Sequence, residues 1–481
     1  MSRFLRRIRA TGATTPKLNR QGNFDPYEYT SGCWMRDDAE QRQARRVEFN
    51  FPMLRQKAVQ TCSGAKEDLR CVKVEGNFNR AFILYLDNGL VVVARIPFSV
   101  VGPTRLVTNS EVATLAYKNT SVPVPKVLGW SDDPCNPAGT EYIIMEHAPG
   151  HVSCVKNLAL LVKQMHSLKF RAYGSIYFVD SLVDDSRRIG LTGKFCIGPH
   201  CDNRYWPCIP GEPRLYDRAP PNRGPWTTFN EFMRGLLDAG IARIPSETKT
   251  QTLPYRGTVG EHLELIARSR HVLEALAQNQ QLQKVSESAL FHPDLHKRNI
   301  FVDPADPTRI TALIDWQAAC IDPIFFSASE TPDLCDYPES FEDVLDHFGI
   351  QNSEKMSICA SRLGRLVSGA PRLHHARMLD KDLAQPFRYC YSSWRDSSTV
   401  FRDGLIKLSR RWGELGLAGS CPYQPSEEEL AEHAKQLDDL EAAEKLKDFL
   451  ESRAAALEQW LEVASEDMGE TKAMQFWPFD L

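Results

Sequence analysis

The chain has 481 residues, of which 42% are hydrophobic and 25% are charged, enough apolar residues for two or three domains of a globular protein. The net charge of −4 gives no basic footprint for nucleic acid, and no apolar run approaches the ~18 residues that a membrane span needs. The 13 cysteines are odd in number and form no Cys-x-x-Cys pair, which favours a reducing compartment.

Residues 1–24 form a basic tail that contains no acidic residue before Asp25. Phe4, Leu5 and Ile8 can share one face of a helix flanked by arginines. Such an arginine-rich, acid-free amphipathic start is typical of a mitochondrial presequence, and the alternative is a disordered basic tail. The six basic residues are Arg3, Arg6, Arg7, Arg9, Lys17 and Arg20.

Two regions rich in regular structure follow the tail. Residues 25–68 form an N-terminal helical extension, with helices expected over 37–48 and 51–59. Residues 69–146 alternate apolar and polar positions, which is typical of strands, and Asn88-Gly89 supplies a hairpin turn because both residues tolerate positive φ. The sequence therefore predicts a five-stranded antiparallel sheet with one helix. Its strands are expected over 70–75, 81–86, 90–96, 127–130 and 142–146, and its helix begins near residue 108.

From residue 147 to 420 the pattern is mostly helical, interrupted by a stretch at 194–225 that is rich in Pro, Gly and Arg and is expected to be a loop. Residues 421–481 form a long acidic helix and tail, and Ser426 with Glu429 makes a capping box at its start. The predicted fold class is therefore α+β. The predicted helices of the middle region lie at 158–168, 226–240, 261–282, 341–348, 380–392 and 400–417.

The most informative segment is His292-Pro-Asp-Leu-His-Lys-Arg-Asn299, followed by Asp315 at the end of a predicted strand. The spacing His-x-Asp-x-x-x-x-Asn is that of a kinase-type catalytic loop. Phosphoryl transfer needs one carboxylate that orients the acceptor hydroxyl, and an Asn and a second carboxylate that hold metal ions. Asp294, Asn299 and Asp315 have these three side-chain types within 22 residues.

Short strands are expected on both sides of this loop, at 289–291, 299–303 and 310–314. The last two would form a hairpin that brings Asn299 and Asp315 to one end. The alternative is a polar turn between core strands, which a lone His-x-Asp would not exclude. The full motif together with a strand-terminal Asp favours the catalytic loop.

A second candidate cluster is a possible metal site formed by Cys196, His200, Cys201 and Cys208. Their spacing matches no common zinc module, so roles in a loop or in the core are favoured.

These motifs resemble the aminoglycoside phosphotransferase and choline kinase-like family, and more closely its fungal branch typified by altered inheritance of mitochondria protein nine. The softer motifs that support the branch are Tyr29-Thr-Ser-Gly-Cys-Trp34, Val93-Ala-Arg-Ile-Pro97, Ile143-Ile-Met-Glu146 and Arg223-Gly-Pro-Trp226. The resemblance covers about 27–420. It implies a bilobed protein-kinase-like fold, with a five-stranded small lobe, a mostly helical large lobe and ATP between them.

The resemblance also implies a role for each site residue. Asp294 is expected to be the catalytic residue, and Asn299 and Asp315 are expected to hold Mg²⁺. The nucleotide phosphates would be covered by the loop 76–80 and gripped by Arg95, which Glu111 orients. The hinge facing adenine would be Met145, Glu146, His147 and Ala148, and the phosphate loop would contribute Gly76, Asn79 and Arg80. The acceptor would be the hydroxyl of an unidentified small molecule, and neither this residue set nor the composition indicates an oligomeric state.

Two departures from the family pattern leave a rival hypothesis open. The loop 76–80 has one glycine instead of three, and Arg95 replaces the usual lysine. Arg95 could alternatively form only a salt bridge with Glu111, without binding a ligand. These departures favour a pseudokinase, a nucleotide-binding scaffold without turnover. The complete set of Asp294, Asn299 and Asp315 favours the enzyme. A protein kinase is disfavoured because no Asp-Phe-Gly or Ala-Pro-Glu frames an activation loop.

Overall fold

The computed structural model describes residues 24–31, 38–117, 120–148, 155–206, 218–246, 256–306, 309–327 and 371–468. The predicted basic tail (apart from residue 24), the predicted helix at 341–348 and Cys208 lie outside these ranges. Within them, no helix combines the length and the apolar run that crossing a membrane requires.

The small lobe is built on a five-stranded sheet in the order β1-β2-β3-β5-β4, and all its neighbouring strands are antiparallel. Phe82, Leu84 and Leu86 alternate along one face of β2, and this period of two buries them in the core. The predicted sheet is thus confirmed. Its strands are β1 (Asp68–Glu75), β2 (Asn79–Leu86), β3 (Val91–Pro97), β4 (Val127–Ser131) and β5 (Tyr142–Glu146), and helix α3 (Leu106–Ala116) lies between β3 and β4.

The N-terminal extension covers the apolar face of this sheet. Its helices are α1 (Asp38–Ala44) and α2 (Phe51–Gln60). Asn50 caps α2 by accepting a hydrogen bond from the Met53 N–H at 3.1 Å. Leu54 and Ala58 of α2 are fully buried in a cluster with the β2 side chains. The extension is therefore packed as part of the small-lobe core.

The large lobe is mostly helical, as predicted, but it also contains a three-stranded sheet that the sequence did not predict. Strands β6 (Ser175–Phe178), β7 (Ile189–Gly190) and β8 (Phe195–Gly198) pair in the order β6-β8-β7. The prediction of loop across 194–225 was wrong at β8, because strands of two to four residues leave too little periodicity to detect. This sheet packs through β6 against α3.

The helices and remaining strands of the large lobe surround one core that also reaches α3 and β5. The helix predicted over 261–282 is two helices, because Asn279 caps a second helix by accepting from the N–H groups of Gln281 and Leu282. The helices before the catalytic loop are α4 (Val155–Ser167), α5 (Phe229–Ala242), α6 (Val259–Ala277) and α7 (Gln280–Val285). After it come α8 (Ile324–Ser327), α9 (Pro371–Arg377), α10 (Lys381–Tyr389), α11 (Ser393–Asp396) and α12 (Ser398–Arg410). The strands are β9 (Ser288–Phe291), β10 (Ile300–Val302), β11 (Ile310–Leu313) and β12 (Cys320–Pro323).

A long helix, α13 (Glu427–Met468), follows the large lobe. The predicted capping box is present: Ser426 Oγ accepts from the Glu429 N–H at 3.1 Å, and Glu429 Oε2 accepts from the Ser426 N–H at 2.7 Å. Leu440 is buried, and Gln436 accepts a hydrogen bond from Thr399 of α12. The first half of α13 thus packs on the large lobe.

Candidate active site

A short hairpin places two of the predicted site residues side by side. β10 and β11 are antiparallel, with Ile300 opposite Leu313. The Ile314 N–H donates to the Asn299 carbonyl at 2.9 Å, which extends the pairing by one residue beyond the strands. Asn299 and Asp315 therefore leave the same end of the hairpin.

Asp294 lies on the loop between β9 and the hairpin, and three side chains contact its carboxylate. His296 Nε2 lies 3.0 Å from Oδ1, Arg298 Nη2 lies 2.5 Å from Oδ2, and Asn299 Nδ2 donates to Oδ2 at 2.9 Å. Burial by itself would raise the pKa of Asp294, but the hydrogen bond from His296 and the charge of Arg298 outweigh it. The pKa is held well below its usual range, so the group is a carboxylate at neutral pH.

His292, the first residue of the motif, connects the catalytic loop to the hairpin. Its Nε2 lies 2.8 Å from the Ile314 carbonyl oxygen, and its Nδ1 accepts from the Asp294 N–H at 3.2 Å. Its ring also stands edge-on against Trp316. Only a neutral imidazole with the proton on Nε2 can donate at one nitrogen and accept at the other. Burial lowers the pKa of His292, which agrees with the neutral form.

The orientation of Asn299 leaves an oxygen ligand exposed to the site. Its Nδ2 donates both to the Asp294 carbonyl oxygen at 2.7 Å and to the Asp294 carboxylate, and both of these atoms are acceptors only. The amide nitrogen must therefore face Asp294, so the carbonyl Oδ1 of Asn299 faces away from it. Hard oxygen atoms of this kind suit Mg²⁺.

Asp315, the second predicted metal ligand, has a left-handed backbone with φ of 65°. Asp is one of the few residues that tolerate this conformation, and such outliers concentrate at functional sites. Asp315 Oδ1 lies 2.8 Å from Arg95 Nη1 and 3.4 Å from Asn79 Nδ2. The amide oxygen of Asn299 and the carboxylate of Asp315 form a donor set that fits a hard divalent cation.

Arg95 of β3 joins the small lobe to Asp315. Its guanidinium is ion-paired with Glu111 of α3 as well as with Asp315. Burial raises the pKa of Glu111 to about 7, with repulsion from Asp315 adding to the effect and the charge of Arg95 opposing it. The predicted pair of Arg95 and Glu111 is therefore formed, and Arg95 additionally bridges to the predicted metal ligand.

The loop before β2 divides the predicted phosphate-binding residues between two faces of the sheet. Gly76 N–H donates to the Asn79 carbonyl at 2.9 Å, and Asn79 faces Asp315 and Gln317, whose Oε1 lies 3.4 Å from Asn79 Nδ2. Arg80 is fully buried and its Nε contacts Glu75 at 2.6 Å. The structure does not bring Arg80 to the site, because neighbouring residues of a strand point to opposite faces.

The predicted hinge consists of the last two residues of β5, Met145 and Glu146, and the two residues that follow the strand. Met145 is buried, Glu146 is exposed, and His147 and Ala148 are partly exposed. The N–H of Glu146 donates to the Lys126 carbonyl at 3.0 Å and that of His147 to the Val91 carbonyl at 3.3 Å. β5 pairs with β3, so the hinge lies on the strand beside the one that carries Arg95.

Sequence reasoning missed Gln317, which has no place in the motif and is recognisable only by its approach to Asn79.

It also missed a second group of ionisable side chains, here named the buried cluster: His200, Arg204 and Asp322. Asp322 Oδ1 lies 2.9 Å from His200 Nε2, and Asp322 Oδ2 lies 2.6 Å from Arg204 Nη2. Asp322 is separated from Arg204 by 118 residues and from His200 by 122, so no local pattern could reveal the cluster.

The buried cluster contains His200, one of the four residues of the zinc site considered from the sequence. The two ring nitrogens of His200 are engaged by Asp322 and by the Asp202 N–H. Cys201 lies against the Tyr177 hydroxyl, with Sγ and Oη 2.8 Å apart. Among the described residues, the three that could share a metal are His200, Cys320 and Asp322, but the Arg204 guanidinium already neutralises Asp322. The core role favoured from the sequence agrees with these contacts.

Comparison with known protein families identifies the class. The model of the phosphotransferase enzyme family, APH, matches residues 74–327, which span both lobes and every residue of the site described above. The chain belongs to this family, and the predicted bilobed α+β fold is confirmed.

Curated relatives are fungal proteins. A Subtelomeric hrmA-associated cluster protein of Aspergillus fumigatus is 28% identical over 423 residues, which cover 74% of this chain and 81% of that protein. Altered inheritance of mitochondria protein 9, mitochondrial, of Yarrowia lipolytica is 21% identical and covers 85% of this chain and 80% of that protein. The Saccharomyces cerevisiae protein of the same name is 24% identical, over 60% of this chain and 52% of that protein. The predicted relationship to this fungal branch is confirmed.

Similar solved structures include aminoglycoside phosphotransferase APH(4)-Ia, with 16% identity, a TM-score of 0.34 and coverage of 71% of this chain and 95% of that chain. Aminoglycoside phosphotransferase APH(3'')-Id from Streptomyces rimosus, in complex with ADP and streptomycin, has 15% identity, a TM-score of 0.32 and coverage of 70% and 97%. With scores this low, the fold assignment rests on the family match and on the sheet and helices of the chain itself.

Proposed function

We propose that the chain is an ATP- and Mg²⁺-dependent phosphotransferase that transfers the γ-phosphate to the alcohol group of a small molecule. The observation that carries this proposal is that the Asn299–Asp294 contact and the ion pairs of Arg95 with Asp315 and Glu111 meet at the same end of the β10–β11 hairpin. A scaffold that only binds a partner has no physical need for this complete set.

The nucleotide would lie between the lobes, with its adenine against the hinge at residues 145–148. Arg95 would grip the phosphates, because a guanidinium binds phosphate oxygens bidentately. Glu111 holds Arg95 in place through the buried ion pair. Asn79 donates to Asp315 and Gln317 over long distances of 3.4 Å, and it would exchange one of these contacts for a phosphate oxygen.

Mg²⁺ would be held by Asn299 Oδ1 and the Asp315 carboxylate, and when bound it neutralises charge on the transferring phosphoryl group. Asp315 Oδ1 already accepts from Arg95 and Asn79, so its other oxygen is the one that remains for a cation. The hydrogen bonds from Asn299 to Asp294 keep the amide oxygen oriented.

Asp294 would orient the acceptor hydroxyl and take its proton. The hydroxyl oxygen forms a bond to the γ-phosphorus as the bond from that phosphorus to the β,γ-bridging oxygen breaks, and the electron pair leaves on ADP. The proton of the hydroxyl passes to the Asp294 carboxylate and then to water. Because such transition states are loose, positioning of the nucleophile contributes more than the basicity of Asp294.

A second candidate function, a nucleotide-binding scaffold without turnover, is favoured by one contact. Arg95 is paired directly with Asp315, so a guanidinium occupies one side of the predicted metal ligand. A tight ion pair there would compete with Mg²⁺. Turnover distinguishes the two functions, since both bind nucleotide.

Isothermal titration with ATP, in the presence and absence of Mg²⁺, tests the proposed site. We expect Mg²⁺ to increase the affinity of the wild-type protein, and Asp315→Ala to remove this increase. The melting temperature of the variant should fall moderately, because Ala tolerates the left-handed backbone of this position less well than Asp, so binding is measured well below it. The matched control is Asp303→Ala, which removes another Asp–Arg ion pair of the same β10–β11 hairpin at its opposite end. Unchanged Mg²⁺ dependence in Asp315→Ala would contradict the metal-binding role.

We also propose that the protein is mitochondrial. The proposal rests on the six basic residues and the lack of acids in 1–24, and on relatives that are named as mitochondrial. A fusion of residues 1–24 to a fluorescent protein is expected to enter mitochondria, whereas the same fusion with the arginines replaced by glutamine should remain outside. Cytosolic fluorescence of the unaltered fusion would contradict import.

A further inference from the structure

Three consecutive side chains next to Asp294 are cationic or can become so: His296, Lys297 and Arg298. Two of them contact the carboxylate that the proposed function makes the catalytic group, His296 at Oδ1 and Arg298 at Oδ2. The environment of the acceptor hydroxyl is therefore set by basic side chains of the catalytic loop itself.

The geometry limits where an acceptor hydroxyl can bind. A carboxylate offers about four lone-pair positions for hydrogen bonds. His296 occupies one on Oδ1, while Arg298 and Asn299 occupy both on Oδ2. The position that remains is the second one on Oδ1. A hydroxyl that donates to Asp294 there lies beside His296, with Arg298 on the other oxygen of the same carboxylate.

Arg298 is the more exposed partner of this ion pair, so solvent and ligands reach it more readily than they reach Asp294. Its side chain is 67% exposed, against 28% for Asp294. A positive group on the acceptor would be repelled by Arg298, and a carboxylate or phosphate would be attracted. The planar guanidinium matches both of these anions bidentately. Arg298 contacts Asp294 through Nη2, so the other N–H groups of its guanidinium can bind an anionic ligand while this contact stays in place.

We propose that the acceptor is an alcohol that carries an anionic group close to the hydroxyl that is phosphorylated, and that Arg298 is the residue that selects it. The anionic group is a carboxylate or a phosphate, both of which Arg298 recognises by the same chemistry. This inference rests on the proposed phosphotransferase function and adds the substrate class to it.

The test compares four small alcohols of different charge in the presence of Mg²⁺ and a non-hydrolysable ATP analogue. The probes are D-glycerate, glycerol 3-phosphate, glycerol and ethanolamine, and their binding at millimolar concentration is followed by ligand-observed NMR. For the wild type we expect at least one of the two anionic alcohols to bind on the order of tenfold more tightly than glycerol, and ethanolamine to bind least. The anionic alcohol that binds more tightly shows whether the acceptor carries a carboxylate or a phosphate.

Two variants test whether Arg298 causes the preference for anionic alcohols. Arg298→Glu should lose the preference for anions and favour ethanolamine. Arg309→Glu is the matched control, because Arg309 also forms an ion pair with an Asp and is 66% exposed, but lies near the β10–β11 turn. It should behave like the wild type. Comparable changes in both variants would show a general charge effect and would overturn the role of Arg298.

The result also separates this inference from the proposed function. Binding of the ATP analogue is measured first in the same samples. If the analogue binds with Mg²⁺ and neither anionic alcohol binds more tightly than glycerol, or none of the probes binds, the inference on substrate class is overturned and the proposed function stands. If the analogue itself does not bind, the proposed function fails.

Discussion

Two groups of the same three residue types lie in this protein with almost the same geometry. In the catalytic-loop cluster, named here for Asp294, His296 and Arg298, the distances from Asp oxygens to His and Arg nitrogens are 3.0 and 2.5 Å. In the buried cluster the corresponding distances are 2.9 and 2.6 Å. The arrangement of atoms therefore does not distinguish a candidate catalytic group from a structural one.

Exposure distinguishes the two clusters. Arg298 is 67% exposed and Arg204 only 8%, while Asp322 is 1% exposed. Arg204 is further enclosed by aromatic rings, with Phe326 at 4.7 Å and Tyr391 at 5.7 Å. In the buried cluster each charge depends on its partner, because water cannot replace it. In the catalytic-loop cluster water and substrate can replace the partners, so those contacts can exchange during a reaction.

The largest expected difference is in activity. Asp294→Asn keeps the size of the side chain and removes the proton acceptor, so we expect the rate of ATP hydrolysis per folded molecule to fall on the order of 10²–10⁴-fold. Asp322→Asn should change this rate far less. Release of ADP under saturating Mg²⁺ and ATP, measured well below the melting temperature of both variants, checks this. Equal losses in the two variants would remove the distinction between the clusters.

Stability should show the opposite order. Asp322→Asn removes the buried carboxylate that contacts both Arg204 and His200, while Asp202 Oδ1 stays 3.0 Å from Arg204 Nε. Breaking a buried ion pair costs about 3–5 kcal/mol, and the retained Asp202 contact places the expected loss at the lower end of that range. Asp294→Asn removes contacts that are partly exposed to water, so its effect on the free energy of unfolding should be within about 1 kcal/mol. Urea denaturation of both variants measures the difference. A smaller loss for Asp322→Asn than for Asp294→Asn would contradict the structural role of the buried cluster.

Acid sensitivity provides a third comparison. The folded protein holds the pKa of Asp322 well below its ordinary value of 3.8, because Arg204 and His200 outweigh the raising effect of burial. A lowered pKa contributes stability above pH 3.8 that is lost as the pH falls below it, since the unfolded state then binds the proton first. Asp322→Asn should therefore reduce the dependence of unfolding on pH below about 4. Acid titrations in fixed urea test this. Asp294→Asn should also reduce the dependence, because the pKa of Asp294 is lowered too, but by less, since its partner Arg298 is 67% exposed and is screened by water and salt.

The smallest expected effects concern the two histidines. His200→Gln leaves fully buried polar partners incompletely satisfied, so we expect a loss of about 1–3 kcal/mol in the free energy of unfolding. His296→Gln alters a partly exposed side chain and should change it by no more than about 0.5 kcal/mol. Thermal unfolding of both variants at neutral pH gives the comparison. Equal losses in the free energy of unfolding would mean that the stability these contacts contribute does not depend on their exposure to water.

The clusters also show what sequence can and cannot predict. The catalytic-loop cluster lies within five residues, so its motif was visible, and the flanking strands followed from local alternation. The partners of Asp322 lie more than 100 residues away and reach it only when β8 pairs with β6 and β12 packs beside β6, and these strands are too short to predict. The family resemblance assigned Arg80 to a phosphate loop, and strand β2 was expected to begin at residue 81. It begins at Asn79, which turns Arg80 towards Glu75.

The central claim is that the chain is an enzyme rather than a nucleotide-binding scaffold. The most direct test is to follow Mg²⁺ and ATP with the wild-type protein by ³¹P NMR, using water as the acceptor in the absence of the natural one. We expect slow formation of ADP and inorganic phosphate that stops when EDTA removes the metal and is lost in Asp294→Asn. Nucleotide that binds with Mg²⁺ but remains unhydrolysed by the wild type would contradict it and would favour the scaffold.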